Sequence, residues 1–390
     1  MGAMLGRNAF LRFGPDKIYP NLYVILVGAS AARKSTGIKM ARNILKEAGF
    51  GGFSPNRCRK EALWRAMSRL NTTPASSRAD EEGNFDLDKE LEHVGETRPA
   101  NMLLMAPELT AFTGHGDDEL FMSLTDLYDN LPDFIHEKTT SKSDVIIEPT
   151  LSILAATTPT ELSNAIPPSA IGGGFFSRTL FVYGKPVCKV ANPDKPDTAI
   201  IDDIVAIFKA LGELRDVEIT RTKAALELLA TIYEQEHWLN DRRLESYLGR
   251  RFTHLLKLTM LSALAELRTE VTEYDVVAAN TYLSLAELSM PNALGHFGTA
   301  TTSQASSMVL DAVKRAKKPH TLSTLHKALG TDISTQKQLH ELVLNLKHIG
   351  KVSIVKIAGK SCLVATDDGM NYVAESRFVN QELVTKEERV

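Results

Sequence analysis

Between Tyr19 and Gly49 the chain sets a strand, a small-residue loop and a helix in immediate succession. The apolar run Leu22-Tyr23-Val24-Ile25-Leu26-Val27 passes at once into Gly28-Ala29-Ser30-Ala31-Ala32-Arg33-Lys34-Ser35-Thr36. Beyond it, Ile38, Ala41, Leu45 and Ala48 share one helical face, and Gly49 supplies a stop. This order is the layout of a nucleotide phosphate cradle. Backbone N–H groups and the positive helix end would hold the β-phosphate, Lys34 would reach the β/γ oxygens, and Ser35 would ligate Mg²⁺. The candidate ATP contacts are therefore Gly28, Ala32, Arg33, Lys34, Ser35 and Thr36, with Ser35 as the metal ligand.

Arg33 stands where a glycine is usual. If that position needs a positive φ, a side chain there costs on the order of 1 kcal/mol. The plainer alternative is an ordinary strand–turn–helix with a surface lysine; the flanking strand and helix favour the cradle.

Composition narrows the class. The 390 residues suffice for two or three domains, and apolar (43%) and charged (24%) fractions are those of a globular protein. No apolar run reaches the roughly 20 residues of a membrane span, and no signal-peptide pattern opens the chain. Cys58, Cys188 and Cys362 have neither metal nor disulfide spacing, which fits a reducing cytosol. With a net charge of −3, any nucleic-acid contact must come from local patches.

Residues 1–20 read as a lead-in, and 21–190 as an α/β core interrupted by a polar, acidic surface loop at 71–99. Ahead of that loop, Asn56 to Leu70 reads as a basic helix carrying Arg57, Arg59, Lys60, Arg65 and Arg69. A proline-containing passage from Val187 to Thr198 leads to a helical stretch at 199–290. A polar gap, Pro291 to Ser306, precedes a compact unit at 303–370, with 371–390 as a tail.

A second strand, Asn101 to Ala106, ends in Pro107-Glu108-Leu109. Phosphate-loop ATPases commonly end this strand in Asp-Glu, the Asp helping to hold Mg²⁺ and the Glu polarising the attacking water. Only Glu108 remains here, with Asp126 and Asp129 as fallback carboxylates. A third strand, Thr150 to Ala156, ends in Thr157-Thr158-Pro159, where a polar residue could touch the γ-phosphate. Arg178 follows Gly172-Gly173-Gly174-Phe175-Phe176-Ser177, which makes it either a solvated surface residue or an arginine finger for a neighbour's nucleotide.

Phe134 to Glu148 reads as a hairpin with Lys138 and Lys142 at or beside its tip. Those lysines suit sequence-independent phosphate contacts, or are incidental to a solvated hairpin. The C-terminal unit reads as three helices, from Ser306, Thr321 and Ser334, followed by strands at 351–358 and 360–366. That is the order of a winged helix, in which Lys337, Lys347, Lys356 and Lys360 could meet DNA, or the unit could serve protein contact.

The order of parts resembles an AAA+ ATPase, and within that group the minichromosome-maintenance helicases and their relatives in phages and mobile elements. Ser152-Ile153-Leu154-Ala155-Ala156-Thr157-Thr158-Pro159 resembles the sensor-1 strand, with Thr157 or Thr158 in the place of its Asn. Phe176-Ser177-Arg178-Thr179-Leu180-Phe181 resembles the finger motif. Arg251-Phe252-Thr253-His254-Leu255-Leu256-Lys257-Leu258 and Val271 to Ala279 resemble the lid, whose first arginine is sensor 2: Arg251, or Arg250 one residue away.

The resemblance covers roughly residues 18–290. It implies an AAA+ core with a parallel sheet between helices, a helical lid and a C-terminal winged helix. It further implies ATP and Mg²⁺, Glu108, Thr158, Arg178 and Arg251 as catalytic residues, and a homo-hexameric ring around single-stranded or forked DNA. The hairpin lysines would face the channel, and the setting would be the cytoplasm of a prokaryotic or phage-infected cell, at the nucleoid. Three functions stay open: a replicative helicase or translocase, favoured by the hairpin and lid; a slowly hydrolysing DNA-binding or helicase-loader protein, favoured by Pro107; and an interaction module with a dead site. The family's large N-terminal domain has no counterpart here, so the chain reads as a fragment or a reduced version.

Overall fold

The computed structural model describes residues 1–55, 60–71, 98–114, 117–136, 144–167, 170, 173–185, 197–235, 239, 241–295, 301–315, 320–330, 333, 335–357 and 360–366. It divides into two compact units, Met1–Phe297 and Gly298–Val390. The acidic loop, the passage near residue 190, Arg57, Arg59 and the hairpin tip with Lys138 and Lys142 lie outside the described residues.

Strands follow in the order β1 (Ala9–Phe13), β2 (Asp16–Ile18), β3 (Tyr23–Val27), β4 (Asn101–Ala106), β5 (Asp133–His136), β6 (Asp144–Ile147), β7 (Thr150–Thr157) and β8 (Thr179–Tyr183). The short β9 (Val217–Glu218), β10 (Thr220–Arg221) and β11 (Glu270–Val271) complete the first unit. Its centre is an all-parallel sheet in the order β4-β7-β3-β8. Phe53 bridges Leu103 outside β4 and carries the parallel pairing one step further. Strands covered on both faces should be continuous apolar runs rather than alternating ones. Residues Met102 to Ala106 and Thr150 to Ile153 are buried in succession, and Tyr23, Ile25, Val27 and Phe181 are at most 1% exposed.

The first twenty residues are more than a lead-in. Strand β1 pairs antiparallel with β2 and parallel with β9, while Leu5, Ala9 and Leu11 are fully buried. These residues form no domain of their own, because the run belongs to the first unit and is too short for a separate core. Its apolar residues pack against elements some 200 positions away, which local pattern cannot reveal.

Beyond β8 the chain is helical, in helices Thr198–Gly212, Lys223–Glu234, Arg251–Ala265 and Glu273–Leu294. The last starts with a capping box, Thr272 and Asp275 bonding reciprocally. Burial alone would raise the Asp275 carboxyl; bonds from Arg268 and Thr272 overrule it and pull it down to about 2. The expected break at Pro291 does not occur: the helix runs to Leu294, because Met290, Ala293 and Leu294 are fully buried and draw the last turn onto the core.

The second unit holds helices Thr301–Arg315, Leu322–Leu329 and Gln336–His348, with strands β12 (His320–Thr321), β13 (Val352–Ile357) and β14 (Lys360–Ala365). Its sheet runs β12-β14-β13, antiparallel throughout. Val309, Leu325, Ile333, Leu339, Val352 and Leu363 form its separate core. The first helix begins five residues before the expected Ser306, and Thr321 and Thr335 cap the other two through their hydroxyls.

Candidate nucleotide site

Parallel sheets bind ligands at the carboxyl ends of their strands, where helix N-termini converge. The register puts Val27, Thr157 and Tyr183 side by side at that edge. Gly28 leaves β3 so close to the end of β8 that a Cβ on it would meet the Gly184 carbonyl oxygen at 2.6 Å, so only glycine fits. The chain then curls: Ala31 (φ 64°) and Arg33 (φ 58°) are left-handed, whereas Ser30, Ala32 and Lys34 are not. Such alternation turns successive N–H groups toward a common centre, an anion nest. Arg33 therefore carries the expected strain of about 1 kcal/mol, and the local geometry demands it.

Helix Lys34–Glu47 starts at Arg33 without a side-chain cap. By contrast, Asp117, Thr158, Asp197 and Thr222 cap their helices with side-chain oxygens. An uncapped N-terminus opening onto a nest leaves backbone donors and the helix dipole for an anion. Lys34 Nζ donates to the carbonyl oxygens of Gly28 and Ala29, each at 2.8 Å, so its ammonium lies within the curl. Ser35 and Thr36 are exposed on the first helical turn.

Strand β7 lies between β3 and β4 and brings the other candidates to the same edge. Gly28 N–H donates to the Thr157 carbonyl (3.3 Å), and Leu109 N–H donates to the Ala156 carbonyl (2.8 Å). The end of β7 thus touches the cradle on one side and the Glu108 segment on the other. Two strand spacings, about 10 Å, separate the Lys34 loop from Glu108, room for a γ-phosphate and a water. Glu108 is exposed. Thr157 is buried, with its hydroxyl turned to the Thr158 carbonyl. Thr158 is half-buried, and its oxygen accepts from Glu161 N–H at 3.1 Å, which leaves the hydroxyl proton to donate.

The residues fit Mg²⁺ carried by ATP. Among the described residues no cluster of three metal-ligating side chains exists. Magnesium at such sites takes phosphate oxygens and waters with one or two protein groups, and Ser35 and Glu108 are the groups available.

Two arginines depart from expectation. Arg178 is not presented as a finger: it is 6% exposed, its Nε donates to Asp129 Oδ1 (3.1 Å), its Nη2 to Asp129 Oδ2, and its Nη1 to the Gly174 carbonyl (2.9 Å). Arg251 is 3% exposed; its Nε meets Glu287 Oε1 at 2.7 Å and its Nη2 meets Asn280 Oδ1 at 2.9 Å, while Tyr247 donates to the same Glu287. The sensor-2 reading of Arg251 therefore gives way to a structural one, since a guanidinium so enclosed cannot reach phosphate. Removing it strands a buried carboxylate, which costs about 3–5 kcal/mol. Arg251→Ala is accordingly expected to lose several kcal/mol in urea unfolding; a loss below 1 kcal/mol would return Arg251 to the candidates for catalysis.

Asp129 and Asp126 also change standing. Tyr23 pairs with Thr179, so Arg178 and its partner Asp129 lie at the amino end of the sheet, opposite the cradle, with Asp126 one turn earlier in helix Asp118–Tyr128. Neither can activate water at the Lys34 loop. The same end holds a buried polar cluster that sequence pattern did not single out. Lys257 Nζ donates to Asn21 O (3.0 Å) and Oδ1 (2.7 Å) and sits 3.9 Å from the Tyr128 ring centroid. His254 Nε2 lies 3.0 Å from the Ser177 carbonyl. Burial, before neighbouring charge, lowers the His254 pKa to about 4 and holds Lys257 well below the usual lysine value. The signal was available: His254 and Lys257 stand among the apolar positions of helix Arg251–Ala265, where a titratable group needs a partner.

Lys337 and Lys360 are exposed in the second unit, the first on helix Gln336–His348 and the second at the start of β14. The β5–β6 hairpin pairs as expected from Asp133↔Ile147 to His136↔Asp144, and Phe134 packs on Trp64 at 5.4 Å. No helix among the described residues is long and apolar enough to cross a membrane. The chain matches no protein-family model and no curated protein.

Proposed function

We propose that the chain is an ATP hydrolase of the AAA+ class that moves on DNA as a ring, with ATP and Mg²⁺ held by Lys34, Ser35 and Glu108. One observation carries the nucleotide reading: the uncapped nest, Thr158 and Glu108 converge at a single edge of a parallel sheet, with β7 between the two chemical halves. A phosphate cradle alone would suit any nucleotide binder. A carboxylate two strands away, with a hydroxyl between, suits hydrolysis.

The helices from Thr198 to Leu294 take the part of the lid, and the second unit that of a winged helix. Support for DNA comes from the hairpin, which occupies the place in chain order where the helicases carry their channel loop. The expected assembly is a homo-hexamer in a prokaryotic or phage-infected cytoplasm, at the nucleoid. The second reading, a slowly hydrolysing DNA-binding or loader protein, is favoured by Pro107, which removes the usual Mg²⁺-side carboxylate.

ATPase rate with and without single-stranded DNA, beside strand displacement on a forked duplex, separates the two. A motor hydrolyses faster on DNA and opens the fork; a loader does neither. Within the motor reading, Lys138→Ala with Lys142→Ala weakens binding to all DNA sequences alike and flattens its salt dependence. The log–log slope falls by about 0.7 for each single-strand phosphate that the variant no longer neutralises. Parental affinity and slope in that variant would move the DNA site to Lys337 and Lys360.

A further inference from the structure

The two faces of the central sheet are covered unequally. On one face Tyr23, Ile25, Ile153 and Ala155 of β3 and β7 are at most 4% exposed. On the other, Val24 and Leu154, paired side by side, are only half-buried. The helices over that face stand off it, and a cavity of about 430 Å³ lies between. Val24, Leu103 and Leu154 line it from the strands, Ala41 and Ile44 from helix Lys34–Glu47, and Phe208 from helix Thr198–Gly212. Packed interiors hold few voids larger than a water molecule, so a space of this size between central elements is the mark of a ligand site.

Ser152 decides what the space can take. It lines the cavity and pairs with Leu103 across β4 and β7, and paired residues of a sheet turn their side chains to the same face. The residue is 5% exposed, and among the described residues its Oγ has no hydrogen-bond partner. A buried hydroxyl left without a partner is costly, and such a group in a native core needs a reason. Ser152 is also the one lining residue with a polar side chain. A trapped water needs roughly two to four polar partners, more than the walls' side chains offer. A charged molecule would find no counter-charge. What remains is an uncharged, mainly apolar molecule with one oxygen that accepts from Ser152.

The geometry points to this cavity as a binding site for an uncharged apolar molecule of about two fused rings that carries one carbonyl oxygen, with Ser152 Oγ–H as the donor that orients it. Size follows from volume. An apolar cavity of about 150 Å³ takes one benzene, and 430 Å³ has room for a fused pair. The molecule stays clear of the phosphate cradle, because Ala41 lies about two turns, roughly 10 Å, along the helix from Lys34. The site therefore stands whether or not the chain binds ATP.

The test titrates the full chain directly with two probes, the bicyclic ketone 1-tetralone and tetralin, the same ring pair without the oxygen. Both are expected to bind the parent saturably. Ser152→Ala weakens 1-tetralone about tenfold, the worth of one net hydrogen bond. Tetralin binds Ser152→Ala at least as tightly as the parent, since no bond is lost and a polar atom leaves the wall. Ala41→Phe takes up room in the cavity and weakens both probes ~10-fold or more, with circular dichroism to show that the fold persists. Absence of saturable binding of either probe to the parent would overturn the site. So would parental affinity for 1-tetralone in Ser152→Ala, or an equal loss of both probes there. Parental affinity for both in Ala41→Phe would place them elsewhere on the chain and end the assignment.

Discussion

Lys34→Ala is expected to lose ATP binding by roughly 100-fold or more, about 2.8 kcal/mol. The reason is the placement of the ammonium. Lys34 Nζ lies within the nest, bonded to the carbonyls of Gly28 and Ala29, where an incoming triphosphate would exchange weak neutral acceptors for strong anionic ones. A hydrogen bond to a charged group contributes about 1.5–3 kcal/mol, so the loss sits at the upper end of one such bond. Isothermal titration with ATP and Mg²⁺ measures it, with far-ultraviolet circular dichroism to confirm that the helix from Lys34 persists. Undiminished affinity would remove the phosphate cradle from the account altogether, and the loop would revert to an unusual strand–helix turn.

The second large effect lies at Glu108. Glu108→Gln keeps the size and polarity of the side chain but removes the base, so ATP should still bind while hydrolysis falls by about 10² or more. Single-turnover hydrolysis with pre-bound ATP isolates the chemical step from release. Equal rates in variant and parent would exclude a carboxylate base at this edge, because the fallback carboxylates, Asp126 and Asp129, sit at the opposite end of the sheet.

What could be read from sequence divides along a physical line. The strand, loop and helix from Tyr23 to Glu47 were legible because their parts are contiguous: an apolar run, small residues, Lys-Ser and a helical stripe within thirty positions. The strain at Arg33 was legible for the same reason, and its φ of 58° bears it out. Strands β3 and β4 announced themselves as apolar runs, the pattern of strands inside a covered sheet. The arginines were a different matter. A finger or a sensor is defined by where a guanidinium points, and direction depends on partners distant in sequence: Asp129 for Arg178, Glu287 for Arg251. A motif match carries no information about such a partner. Of the first twenty residues, the pairing of β1 with the nearby β2 is local, but its pairing with β9 lies some 200 positions away and was not legible.

The central place of β3 has a consequence for how the chain must be made. Both neighbours of Tyr23–Val27 lie far downstream, β7 at Thr150–Thr157 and β8 at Thr179–Tyr183. At a synthesis rate of about 5–20 residues per second, β3 waits on the order of ten seconds for its first partner. For that interval the nascent chain carries Leu22-Tyr23-Val24-Ile25-Leu26-Val27 as an unpaired, uncharged, β-prone segment with two open edges, which is the form in which strands aggregate. Low concentration of emerging chains, or a factor bound to the segment, keeps it from pairing with other chains until β7 arrives. Overexpression that outruns either should send the chain to inclusion bodies through the strand on which the whole cradle is later hung.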